Sequence, residues 1–331
     1  MLYYIKMEDL MKVVKEHRGV RDSTISIYTR YLNLLSNEIT GKDYSSNKFL
    51  KTKKKQIKDF VNKESSSKKK NYLASILVAI SPKEKKDPMK GFEKVYDDYS
   101  DMLKEESQKY YDRIATHDKN IKESENWIDW EDILKMQRKL GREIKKKGYK
   151  QSSTELKRKS DMNLIQKYLV LSLYTLHPPR RLEYAFTKVI SKSDYDDLSQ
   201  KEKDDNIYLV VSSRNKKMFH FGKNVVKSET EDNIKIPVEK ALNSVLNLWL
   251  NFNKSGSLLV NSRGEKLTKN GLSKLLNRIF AHTGKKISAS MLRKIKISNE
   301  FDPEVQKKQQ ELAEKMNHSV GVQQSVYLKK D

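Results

Sequence analysis

Between Leu164 and Leu176 the chain places Leu164, Ile165, Tyr168, Leu169, Leu171, Leu173, Tyr174 and Leu176 on nearly every side of a helix. A helix that is apolar all round has no face to give to water and must lie inside a core. Pro178-Pro179 then stops it, because proline lacks the amide donor and restricts the residue before it. Proline is also accepted at the first position of a helix. The expectation is therefore a new buried helix start, with Arg180 in its first turn and Glu183 one turn on. Any fold for this chain has to wrap other elements around 164–176 and turn sharply into a charged pair.

The 331 residues are enough for two domains, each with its own core. Lys and Arg number 68 against 44 Asp and Glu, a net charge of +24. So large an excess favours a polyanionic partner, nucleic acid before an anionic membrane surface. The plainer alternative is a lysine-rich surface that is only solvated. The absence of cysteine excludes disulfides, thiolate zinc sites and cysteine nucleophiles. The histidines are scattered, with no His-x-x-x-His or Glu-x-x-His pairing, so neither a metal site nor a cofactor is expected. No apolar run approaches the roughly 18 residues of a spanning helix. The start, Met1 to Glu8, is too short and too quickly charged for a signal peptide. These features predict a soluble intracellular protein with no membrane partner.

Residues 1–19 read as an N-terminal arm and 20–115 as a four- or five-helix domain. Asp22-Ser23-Thr24 resembles a helix N-cap, and Ile25, Tyr28, Leu32 and Leu35 follow at helical spacing. Tyr72 to Ile80 is apolar enough to be the central helix, ended by Pro82. Lys68, Lys69 and Lys70 lie in the loop before it and are candidates for phosphate contacts. Residues 116–126 are polar and aperiodic, and read as a linker.

The second domain, 127–331, opens with a helix from Trp127 that closes on a Lys145-Lys146-Lys147-Gly148 C-terminus. Beyond the double proline, Ile207–Val211, Met218–Phe221 and Ile234–Val238 have strand composition, which predicts a three-stranded antiparallel sheet. Lys223 and Lys227 fall on its second hairpin. Helices follow over about 238–252 and 267–280, with a short strand at Leu258-Leu259-Val260 between them. Ser290-Met291-Leu292-Arg293 leads into the closing helices. The fold class expected is mainly α with a small antiparallel β-sheet.

Arg180-x-x-Glu183, a hairpin lysine, Leu292-Arg293, His318-Ser319 and then Tyr327, nine positions after the histidine, occur in that order. Together they resemble the catalytic domain of the tyrosine recombinases, the phage-integrase type. The run Leu-Tyr-Thr-Leu-His-Pro-Pro-Arg-Arg-Leu-Glu-Tyr is similar in particular to integrases of virophages and large DNA viruses. The resemblance covers roughly 127–331 and implies that 20–115 is the family's helical core-binding domain, a clamp on duplex DNA. It implies Arg180, Lys223, Arg293, His318 and Tyr327 as catalytic residues, with Glu183 and Ser290 supporting them. Lys227 is the fallback for the hairpin lysine and otherwise a DNA contact. Ser290 departs from the pattern, standing where the family has histidine.

The chemistry suits these residue types. Two arginines can pair the non-bridging oxygens of a phosphodiester and stay protonated at any working pH. A tyrosine ionises near pH ~10, so it needs a local positive field to attack at neutral pH. The covalent phosphotyrosine then stores the bond energy for rejoining without a nucleotide cofactor. A lysine can protonate the leaving 5′-oxygen. The family reading adds a homo-tetramer on synapsed DNA, monomeric or dimeric off it, working wherever that DNA lies: cytoplasm, nucleoid, host nucleus or viral factory. The alternatives are a type IB topoisomerase or telomere-resolvase-like strand transferase, and a catalytically weak DNA-binding protein on the same fold.

Overall fold

The computed structural model describes residues 6–116, 118–150, 153, 155–212, 215–226, 232–317 and 319–322. It divides into two compact units, 1–118 and 119–331. The catalytic candidates His318 and Tyr327, and the fallback Lys227, lie outside the described residues.

The first unit is helical: α1 (Met7–Arg18), α2 (Asp22–Thr40), α3 (Lys48–Thr52), α4 (Lys54–Lys63), α5 (Ser66–Ile80) and α6 (Glu93–Ala115). The apolar block 72–80 is the centre, and α5 packs against α2, α4 and α6. Leu32, Leu35, Leu73, Ile76 and Tyr99 are fully buried between them. The segment expected as an arm contains α1, whose Leu10 and Met11 enter the same core. Apolar spacing within 10–14 marks that face, but charged neighbours on both sides hide it.

The second unit runs α7 (Ile121–Asn126), α8 (Trp130–Lys146) and α9 (Lys159–Thr175), then a 3-10 turn over Glu183–Phe186. The expected linker 116–126 therefore contains a short helix. Next come β1 (Lys188–Ser191), α10 (Lys192–Asp196), α11 (Gln200–Asp205), β2 (Ile207–Val211), β3 (Lys217–Phe221) and β4 (Ile234–Pro237). The unit closes with α12 (Lys240–Phe252), α13 (Lys269–Phe280), α14 (Ala289–Glu300), α15 (Pro303–Lys315) and a short turn at Val320–Val322.

The sheet corrects the expectation of three antiparallel strands. Its order is β1-β2-β3-β4, and β1 runs parallel to β2, with Lys188 opposite Tyr208 and Ser191 opposite Val211. A parallel pair needs a crossover rather than a hairpin, and α10 and α11 supply it. The two antiparallel ladders are as expected, with Phe219 opposite both Leu209 and Ile236. Residues 258–260 form no full strand; Val260 makes an isolated bridge to Lys266.

The all-round apolar helix is α9, and it packs against α8, α12 and α13. Leu169, Leu171, Leu173 and Tyr174 have no exposed surface. Buried Gln166 meets the backbone of Val260 twice, Nε2 donating to its carbonyl at 3.0 Å and Oε1 accepting from its amide at 2.9 Å. On α12, Trp249 is fully buried and its Nε1 donates to the Leu258 carbonyl at 2.7 Å. Trp249→Ala removes the largest side chain of that core and leaves the Leu258 carbonyl only the longer hydrogen bond from Asn253 Nδ2, at 3.5 Å. The expected loss is about 3–5 kcal/mol of unfolding free energy, read from the midpoint of a urea titration.

Candidate functional site

The double proline leads into a turn rather than a helix: regular structure resumes only with the 3-10 turn at Glu183. Arg180 is half-buried in that turn. Two tyrosine hydroxyls hold the turn. Tyr174, from α9, donates to the Arg181 carbonyl at 2.6 Å. The Tyr184 oxygen lies 3.2 Å from the Pro178 carbonyl and 3.0 Å from His177 Nδ1. The two rings meet edge to face with centroids 5.6 Å apart. A buried tyrosine hydroxyl needs a partner, and the turn's own carbonyls serve.

Charge gathers on this tyrosine pair from separate parts of the chain. Burial raises the pKa of Tyr174, and the charges of Glu183 and Arg293 both reach it with opposite signs. Burial likewise raises Tyr184 far above the usual phenol range, and it lies within reach of Arg180 and Glu183. Arg293 is thus within electrostatic reach of Tyr174 and Arg180 of Tyr184, with Glu183 reaching both rings, although Arg293 lies far along the chain from the other two. Arg293 stands half-buried on α14. That helix is capped by Ser288, which accepts from the Met291 amide, and anchored by buried Ala289, Leu292 and Ile295.

Neither guanidinium has an ion-pair or hydrogen-bond partner among the described residues. Arg180 instead stands over the ring of Phe221, its Cζ 4.3 Å from the centroid. Glu183 is only 7% exposed, and its Oε2 is buried without a hydrogen bond among the described residues. Two arginines and one unsatisfied carboxylate leave positive charge for an anionic ligand.

Phe221 connects Arg180 to the hairpin lysine two residues on. Gly222 makes that approach possible, because a Cβ there would meet the carbonyl oxygens of Asp204 at 2.3 Å and of Asn206 and Lys203 at 2.6 Å. Lys223 follows, its ammonium 3.4 Å from Asp204 and its side chain 38% exposed. Hydrogen bonds, first from Asn233 and also from Lys223, hold Asp204 below the usual carboxylate range.

Physical chemistry points to another lysine as well. Lys217, at the far end of β3, is 5% exposed and its pKa is lowered by burial to about 8. Its ammonium donates to Asn215 Oδ1 at 2.8 Å and Asn243 Oδ1 at 2.9 Å, and also to Asn247. Phe221 lies four residue steps along the strand from it, about 13 Å at ~3.3 Å per residue. It joins the sheet to α12 and lies away from the arginines.

Ser290 is exposed on the first turn of α14. In the first unit, the three lysines singled out are all engaged within the protein. Lys68 pairs with Glu64 at 2.9 Å, Lys69 with the nearly buried Glu106 at 3.4 Å, and Lys70 stands 3.8 Å above the Tyr110 ring. They belong to α5 rather than to a loop. Tyr174, Tyr184, His177 and Asp204 were missed as site residues. Periodicity counts the tyrosines as core, and nothing local marks where their hydroxyls go.

His177 is buried with Nε2 unpartnered among the described residues, and burial lowers its pKa to about 4. An unfolded histidine titrates near 6.5. Between these values the unfolded chain binds the extra proton, so stability falls as pH drops through that window. The expected loss is up to about 3 kcal/mol. Urea titrations at pH 7 and pH 4.5, repeated on His177→Gln, check it: the variant should show a smaller difference.

No family model matches the chain, and no curated protein matches it. One similar solved structure is described as the crystal structure of XerA recombinase. Identity is 12% over 86% of this chain and 80% of that one, with a TM-score of 0.29. A score at that level gives the likeness no weight in assigning function.

Proposed function

We propose that this protein cleaves and rejoins duplex DNA through a covalent 3′-phosphotyrosine, as the tyrosine recombinases do. The observation that carries the reading is the pair of half-buried guanidiniums of Arg180 and Arg293, without carboxylate partners among the described residues, each within electrostatic reach of one ring of a buried tyrosine pair. Such a pair suits a phosphodiester whose non-bridging oxygens gain charge in the transition state. The net charge of +24 supports a nucleic-acid partner.

In this reading the Tyr327 oxygen attacks phosphorus and the P–O bond to the 5′-oxygen breaks. The leaving oxygen takes a proton from Lys223, which has to swing away from Asp204. His318 hydrogen-bonds the phosphate or handles the nucleophile's proton. Attack by a 5′-hydroxyl on the phosphotyrosine reverses the sequence and restores the strand. Residues 20–115 act as the DNA clamp, 127–331 carry the chemistry, and four copies assemble on synapsed DNA.

Exposed Ser290, in place of the family's histidine, favours a second reading: a DNA-binding protein with weakened chemistry. SDS-resistant attachment to nicked duplexes from a random-sequence pool separates the two. The DNA-linked peptide is expected to contain Tyr327. Salt-sensitive duplex binding without any adduct would overturn the enzymatic reading.

A further inference from the structure

The short helix α7 is fastened to the segment that carries Arg293. Glu123 uses both carboxylate oxygens: Oε2 accepts the Asn120 amide at 3.0 Å, closing a capping box, while Oε1 pairs with Lys294. Lys285 Nζ donates to the Glu125 carbonyl at 2.8 Å, and the Lys286 amide donates to Asn126 Oδ1 at 2.6 Å. Against these polar contacts stands no apolar one of weight. None of the residues of α7 is buried, and Ile121 is 78% exposed. Trp127 and Trp130, just beyond it, pack on the core.

From this we infer that α7 is an acidic strap laid over a phosphate-binding face made by Lys285, Lys286 and Lys294, and that duplex DNA displaces it. Lys294 follows Arg293 on α14, so the face adjoins the arginine site. A phosphate can replace the Glu123 carboxylate on Lys294 and the Glu125 carbonyl on Lys285 like for like. A helix held by polar contacts alone opens easily. With the two tryptophans anchored, α7 can lift without disturbing the core. The proposal rests on the nucleic-acid part of the reading above and not on its covalent step.

A double-mutant cycle on duplex affinity tests it. Glu123→Gln keeps the capping box, since glutamine caps as glutamate does, but removes the charge that competes for Lys294. It is expected to tighten binding to a mixed-sequence duplex at low salt by about two- to fivefold, the range of an exposed pair. Lys294→Gln should weaken binding, and in that background Glu123→Gln should give no further gain. An equal gain in both backgrounds, or none in either, would overturn the strap while leaving DNA binding intact. Trypsin gives a second readout at exposed Lys122: bound duplex should speed cleavage there, and protection would count against the proposal. If no variant binds duplex in a salt-sensitive way, the nucleic-acid reading falls and the strap with it.

Discussion

Tyr327→Phe is expected to abolish SDS-resistant attachment to DNA and to leave duplex affinity within about twofold of the intact protein. Removing one oxygen takes away the only atom that can bond to phosphorus and leaves the ring. In the proposed reading the phosphates are held elsewhere, by lysines and arginines, so binding is not expected to depend on that oxygen. The expectation comes from sequence spacing, Tyr327 following His318 by nine positions. Adduct formation that persists in the variant would place the nucleophile on another residue. Mapping the DNA-linked peptide would then identify it.

Arg180→Gln and Arg293→Gln are each expected to slow cleavage by about 10²–10³-fold, the loss seen when one preorganised donor to a developing charge is removed. Duplex affinity should fall far less, because in the proposed reading each arginine would be one of many contacts to the phosphate backbone. Arg293→Lys should not restore the rate, since an ammonium cannot make the paired contact of a guanidinium. Arg181 provides the control. It is the immediate neighbour of Arg180, but its side chain is exposed and only its carbonyl is used by the turn. Arg181→Gln should cleave at close to the unaltered rate. Equal losses at 180 and 181 would mean that general charge, rather than the Tyr174–Tyr184 cradle, sets the effect.

Glu183, expected from the sequence to support the arginines, is buried in the structure. Its carboxylate is buried beside both tyrosines with one oxygen unsatisfied among the described residues. Leaving a buried charged oxygen unpaired costs more than a hydrogen bond returns.

Sequence alone determined the helices whose apolar spacing has no other use. The segment 164–176 had to be buried and became α9, 72–80 became the centre of the first unit, and the strands at 207–211 and 234–237 appear where composition put them. Periodicity reports on burial, and burial is a local demand of each side chain. The order of motifs along the chain is also read from sequence alone, and it singles out Arg180, Lys223 and Arg293 as candidates.

Tertiary structure decided what depends on partners through space. The short strand β1 has too few apolar residues to announce itself, and exists because β2 pairs with it in parallel. Arg180 sits in a turn rather than a helix because Tyr174 and Tyr184 tie down the carbonyls around it. Lys69 is drawn into a nearly buried pair with Glu106, while Lys217 loses its solvent to three asparagines. Composition treats these lysines alike. What each can bind is set by the oxygen nearest its ammonium, and only the folded chain chooses that oxygen.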